Sequence, residues 1–163
     1  MNYQKISRND VSNGSGVGMV LWVSGCTQHC FGCHNPETWD FNSGIPYTPE
    51  IETEIINSLK PDYISRLTLS GGHPLEAENI KTVFDLCKKV KSIYPNKKIW
   101  LYTGYTWENI NGLPILKYVD VLVDGKFVQD LRDITLKWKG SSNQRVIDMQ
   151  KSLEKGKIIL WEN

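Results

Sequence analysis

Three cysteines crowd the segment Gly25-Cys26-Thr27-Gln28-His29-Cys30-Phe31-Gly32-Cys33-His34-Asn35. A C-x3-C-x2-C run on a short loop lets three thiolates converge on one metal centre, and close cysteine spacing of this kind is usual for iron–sulfur proteins. No fourth cysteine follows at short range. A cubane held by three thiolates would keep one iron open to a substrate, as catalytic zinc keeps an open position. Structural zinc is the alternative, with His29, His34 or Cys87 as fourth ligand. Its motifs usually come as two pairs, and a second pair is missing from the sequence. Spacing favours iron–sulfur and leaves zinc open.

Other residue types that could do chemistry stand apart from the cluster. Gly71-Gly72-His73-Pro74 could be a turn at positive φ, or a place where backbone approaches a ligand closely; its position after a strand favours the second. Asp124 and Lys126 fit either a solvated turn or a site. Asn35 and Trp39 would order the cysteine loop or face a partner, and 141–145 (SSNQR) reads as a surface loop suited to partner docking. Cys87 falls at helical spacing among Val83, Phe84 and Val90, where a free cysteine packs as a small hydrophobe.

The elements that must position these residues alternate in type. The run 17–24 (VGMVLWVS) is apolar nearly throughout, as in a buried strand. Thr48-Pro49-Glu50 supplies an N-cap, a proline at N1 and an acid in the first turn. The helix it opens carries Ile51, Ile55, Ile56 and Leu59 on one face and stops at Pro61. A second strand is predicted at 66–70, then a helix over about 76–94 with Ile80, Val83, Phe84, Cys87, Val90 and Tyr94 as its buried stripe. A third strand at 98–103, a short helix from Thr106 with Trp107 and Ile110, and a fourth strand at 119–123 follow. Tail strands are predicted at 134–138 and 158–161.

Strands separated by helices imply βαβ units around a mostly parallel sheet. A closed eightfold barrel needs about 250 residues, so 163 residues allow an open, partial βα barrel. In such sheets chemistry gathers at the C-terminal strand ends. The unusual sequences lie there: Gly25-Cys26, Gly71 to Pro74, Thr103-Gly104 and Asp124-Gly125.

The length suits one domain over 1–163. A formal charge of +1 gives no general attraction to nucleic acid or anionic membranes, so neither is expected as a partner. The polar N-terminal run has no apolar h-region, and no stretch reaches the ~18 apolar residues of a membrane span. A cytoplasmic protein with reduced thiols is expected.

C-x3-C-x2-C after a first strand, with a GG-x-P turn after the second, resembles the radical S-adenosylmethionine superfamily. The run Cys33-His34-Asn35-Pro36-Glu37-Thr38-Trp39 is similar to the activases that install glycyl radicals. Asn13-Gly14-Ser15-Gly16, WLYTGYTWE at 100–108, VLVDGKFVQDL at 121–131 and GSSNQR at 140–145 narrow the resemblance to the activators of anaerobic (class III) ribonucleotide reductase, over nearly the whole chain. The resemblance implies a radical-SAM type fold and a [4Fe–4S] cluster on Cys26, Cys30 and Cys33. S-adenosylmethionine would be the second cofactor, bound near Gly32, Cys33 and His34 and at Gly71, Gly72 and His73. It also implies reductive cleavage of S-adenosylmethionine, a glycyl radical on the reductase large subunit as the outcome, and an electron donor such as flavodoxin.

Two positions depart from the wider superfamily. Gly32 stands where an aromatic usually flanks the adenine, so the His34 ring or the Gly32 backbone would serve instead. His73 replaces the usual Glu or Asp of the Gly-Gly turn. It should contribute less than a carboxylate, with the Gly71-Gly72 backbone doing more. An activase of the pyruvate formate-lyase type is the nearest rival, disfavoured by GSSNQR and the short tail. A non-catalytic zinc module is the rival from another class.

Overall fold

The apolar run near residue 20 becomes a central strand because both of its faces find cover. In the computed structural model, which describes residues 1–162, the chain runs β1 (Asn2–Asp10), β2 (Gly18–Val23), β3 (Ile45–Pro46), α1 (Pro49–Ser58), β4 (Arg66–Gly71) and α2 (Ala77–Ile93). It continues through β5 (Lys98–Tyr102), α3 (Trp107–Ile110), β6 (Val121–Asp124), β7 (Arg145–Asp148) and α4 (Met149–Lys155). The strands form one sheet in the order β3-β1-β2-β4-β5-β6-β7.

The predicted βαβ alternation sets the middle of that sheet. β2, β4, β5 and β6 pair in parallel. Both flanks are antiparallel, β1 on β2, β3 on β1 and β7 on β6. The expected mostly parallel sheet is therefore corrected to a mixed one: every α-helical crossover yields a parallel pair, while the connections at 11–17 and 125–144, which hold no α-helix, bring the chain back antiparallel. The sheet ends at β3 and β7 and does not close into a barrel.

Period-2 alternation gives the sheet two different faces. One carries Met19, Leu21, Val23, Leu67, Leu69, Ile99, Leu101 and Leu122 against Ile55 and Ile56 of α1 and Val83, Leu86, Cys87 and Val90 of α2. The other carries Trp100, Val121 and Val123, with Trp138 and Trp161 set edge-on to Trp100. Arg66 and Thr68 are buried on this second face, whose rows alternate with the first.

Cys87 lies wholly within the first core, as its helical spacing predicts, and burial pushes its thiol up to about 12. A maleimide at mildly alkaline pH is expected to label Cys30 and Cys33 of the metal-free protein and to spare Cys87 until the chain unfolds. Peptide mass spectrometry with and without denaturant checks this.

The tail differs from expectation. Neither 134–138 nor 158–161 is a strand; the latter contributes one bridge, from Leu160 to Ile147. Ile134, Leu136 and Trp138 alternate like a strand, but the Asp133 carboxylate accepts from the backbone N–H and hydroxyl of Thr135, closing an Asx turn. Trp138 then sits in the left-handed region at φ +62°, which ends any extension. The missed α4 carries an N-cap, Asp148, that accepts from Lys151 N–H, and a left-handed Gly156 after its last turn.

Candidate functional site

Four strand ends meet at one cleft of about 580 Å³. Cys26 follows β2, Gly71 ends β4 with Gly72 just after it, Thr103 and Gly104 follow β5, and Gly125 follows β6; all line it. Cys30, Cys33, His34 and His73 line it too. Gly32 lies off the wall, against the Gln129 side chain, which a Cβ at 32 would meet at 2.2 Å.

The cysteine loop is closed by its own backbone. Gly25 N–H donates to Thr38 O at 2.7 Å and Cys26 N–H to Trp39 O at 3.1 Å. Positive φ at Gly25, His29 and Gly32 curls the chain between these anchors. Cys33 N–H donates to Cys30 O at 3.1 Å, and Asn35 N–H reaches Cys33 Sγ at 3.4 Å. Cys26 is buried, and that burial pushes its thiol up.

Among the described residues no three His, Cys, Asp or Glu side chains already stand together as a site for a single ion. The three cysteines instead line one cleft. The candidate fourth ligands for zinc are engaged elsewhere. The His29 ring stacks on Trp39 at 4.6 Å, His34 faces Phe127 at 5.1 Å, and Cys87 is in the core.

The Gly-Gly turn is zipped to this loop. Gly72 N–H donates to Val23 O and His73 N–H to Gly25 O, each at 2.8 Å. A Cβ on Gly71 (φ +103°) would stand 2.7 Å from Val23 N, and one on Gly72 2.6 Å from Gly25 O. Only glycine permits two backbones this close.

His73 is buried with both ring nitrogens engaged, Nδ1 with Glu76 Oε1 at 2.9 Å and Nε2 with Thr103 Oγ1 at 2.7 Å. Burial lowers the pKa of the imidazole and favours its neutral form, against the pull of Glu76. Burial alone would raise the Glu76 carboxyl, but the hydrogen bonds from Thr27 and His73 outweigh it and hold it below its ordinary value. The matching assignment has Nδ1–H donating to Glu76 and the Thr103 hydroxyl donating to Nε2. Tyr105 N–H, donating to Thr103 Oγ1 at 3.1 Å, agrees with that orientation.

Sequence reasoning placed Glu76 at the helix start and gave it no further role. It is the N-cap of α2, yet its side chain makes no cap bond. It turns to Thr27 instead, accepting from the backbone N–H and the hydroxyl, both at 2.8 Å. An acid three residues beyond the histidine of the turn was the available signal.

The expected surface loop at 141–145 is exposed at Ser142 and Asn143, and it also acts as a bracket. Ser141 is fully buried. Gln144 donates to Gly125 O and accepts from Gly140 and Ser141 N–H, while Asn143 donates to Lys126 O. Arg145 pairs with Glu108 and with Asp124, which is wholly buried and also accepts from Trp107 N–H. Asp124 is thus no solvated turn. The bracket fixes the 125–128 loop, whose Phe127 stands against His34 on the cleft wall. Trp39 Nε1 and Tyr102 OH also belong to wall residues, are buried and have no partner in the chain. Buried polar atoms of this kind call for a ligand or ion.

Residues 12–147 match the family of 4Fe-4S single cluster domains. The chain is 44% identical over 150 residues to the anaerobic ribonucleoside-triphosphate reductase-activating protein of Escherichia coli K12, covering 90% of this chain and 97% of that one. It is 47% identical over 148 residues to the protein of that name from Vibrio cholerae, covering 88% and 96%. Its likeness to the one from enterobacteria phage T4 is 44% over 146 residues, covering 90% and 93%.

Proposed function

Because the chain belongs to the family of anaerobic ribonucleoside-triphosphate reductase-activating proteins, we propose that it installs the glycyl radical of an anaerobic ribonucleotide reductase, using S-adenosylmethionine at a [4Fe–4S] cluster. The observation that carries this reading is the placement of Cys26, Cys30 and Cys33 on one cleft, beside a Gly-Gly turn bonded to their own loop.

The residues fit such a cluster. Three thiols from a curled loop, a backbone N–H on Cys33 Sγ and orphaned donors on the same wall make a sulfur-rich, hydrogen-bonding donor set. Cys26, Cys30 and Cys33 would be the ligands, leaving one iron for S-adenosylmethionine. When bound, the cluster would supply the low-potential electron for reductive cleavage of S-adenosylmethionine to methionine and a 5′-deoxyadenosyl radical, which would take hydrogen from the reductase glycine.

The chain's own residues bind, orient and shield. Gly71, Gly72 and His73 line the cleft where the methionine end would sit. The His34 ring and Cys33 flank the adenine, with Gly32 shaping their loop from off the wall against Gln129. Phe127, Leu136 and Trp138 add apolar surface to the cleft, which helps keep water from a radical that attacks C–H bonds. Cysteines and glycines at the strand ends of an open sheet support this reading. The reductase large subunit is the macromolecular partner, a flavodoxin-like protein the electron donor and the cytoplasm the setting. No helix among the described residues is long and apolar enough to cross a membrane.

Anaerobic reconstitution with iron and sulfide, then reduction with S-adenosylmethionine and the reductase, tests the proposal. Methionine, 5′-deoxyadenosine and a glycyl-radical doublet in the electron paramagnetic resonance spectrum are expected. A colourless protein holding one zinc and forming neither product would overturn it.

A further inference from the structure

Four carboxylates are buried among the described residues: Glu76, Asp120, Asp124 and Asp148. Three have a lysine or arginine partner. Lys91 meets Asp120 at 2.6 Å, Arg145 meets Asp124 at 2.5 Å, and Lys151 meets Asp148 at 3.0 Å. Glu76 has only His73 at 2.9 Å and the two Thr27 donors. A buried carboxylate without a full counter-charge is costly. The elements around Glu76 hold it with dipoles and an imidazole, so the pair leaves negative charge beside the cleft that the cysteines share.

We propose that the missing counter-charge is the α-ammonium group of bound S-adenosylmethionine, and that Glu76 is the positioning residue that readies His73 and Thr103 to receive it. The inference rests on the S-adenosylmethionine reading above and deepens it. His73 and Thr103 both line the cleft, whereas Glu76 stands behind them. By taking the Nδ1 proton into its hydrogen bond, Glu76 makes Nε2 a stronger acceptor. The Thr103 hydroxyl that now donates to Nε2 can turn away, freeing Nε2 and its own oxygen for incoming N–H groups. An ammonium has three such donors; a sulfonium has none, so the acceptor pair selects the ammonium. The carboxylate that the Gly-Gly turn lacks at position 73 is thereby supplied three residues later, through the ring. The same Glu76 oxygen accepts from Thr27, next to Cys26, and ties the ammonium pocket to the cysteine loop.

Equilibrium dialysis on the reconstituted holoprotein tests this with three ligands: S-adenosylmethionine, S-adenosylhomocysteine (ammonium without sulfonium charge) and desamino-S-adenosylmethionine (sulfonium without ammonium). Glu76→Gln is expected to weaken the first two about tenfold, the size of one charge-assisted hydrogen bond, and the third less than about twofold. Equal loss for all three would make Glu76 a mere brace. Loss confined to the two sulfonium ligands would assign the charge to sulfur. Either result, or no loss, overturns the inference while wild-type binding leaves the function standing. Wild-type protein that binds none of the ligands overturns both. If Glu76→Gln does not retain iron, Thr103→Val carries the test, because it leaves Glu76 and its bonds to Thr27 in place. It should weaken S-adenosylmethionine and S-adenosylhomocysteine but not the desamino ligand, and equal loss for all three would overturn the inference.

Discussion

Cys26→Ser is expected to abolish reductase activation while leaving a folded protein. Residues that merely support a metal ligand cost about 10–100-fold when changed, so loss of a ligand should exceed about a hundredfold. Cys26 is the most enclosed of the three, held between Gly25 and the backbone bond from its own N–H to Trp39 O. A serine oxygen there keeps that bond and the fold but is a poor ligand for iron. The measurement is iron and sulfide content after reconstitution, alongside visible absorbance and the yield of glycyl radical. Cys30→Ser and Cys33→Ser should behave alike. Cys87→Ser gives the contrast. It should retain iron, because its side chain is in the helix-facing core, and lose stability by about 1–3 kcal/mol for a hydroxyl buried among apolar groups. Full iron and activity in Cys26→Ser, or iron loss in Cys87→Ser, would mean the ligand set is wrong.

How far this could be read from the sequence depended on the range of each interaction. β2, β4, β5 and β6 are buried on both faces or nearly so, and their apolar runs announced them. α1 and α2 announced themselves through Thr48-Pro49 and through the stripe containing Val83, Cys87 and Val90. β1 did not, because only Tyr3 in it is buried and an antiparallel flank strand with one wet face carries little apolar signal. The mixed sheet escaped notice for that reason and because β7 has four residues. In the site, glycines and cysteines at strand ends were visible because their types are rare and their spacing local. Glu76 was not, since its meaning comes from Thr27, 49 residues away. GSSNQR was visible as a motif, but its job is to hold Gly125 and Lys126 carbonyls. Hydrogen bonds across such separations leave no periodicity to find.

Asp10→Asn is expected to be strongly destabilising. Arg66 is wholly buried on the Trp100 face of the sheet, and Asp10 Oδ1 meets its Nη2 at 2.7 Å. The remaining contacts of that guanidinium are neutral, Nη1 to Thr68 Oγ1 at 2.8 Å and Nη2 to Asp10 O at 2.9 Å, while Nε has no partner. Removing the carboxylate charge leaves a buried cation uncompensated, a loss of about 3–5 kcal/mol, with asparagine near the lower figure because it keeps an acceptor. For a chain of this length that lowers the melting temperature by about 6–20 °C. Burial tends to raise the Asp10 carboxyl, but the Arg66 bond and the Asn13 N–H at 2.8 Å outweigh it and hold it below its ordinary value. A depressed carboxyl contributes stability that is present above its unfolded pKa and is lost as pH falls through the folded value. The gap between wild type and Asp10→Asn should therefore be full at neutral pH and close only below about pH 4; a gap that does not change with acid would assign the loss to packing. The consequence reaches the cleft. Asp10 begins the turn whose Ser12 and Asn13 line it, and Asn13 O accepts from Thr68 beside Arg66. Loosening this ion pair should thus weaken ligand binding as well as the fold, from residues that touch neither cysteine loop nor glycine turn.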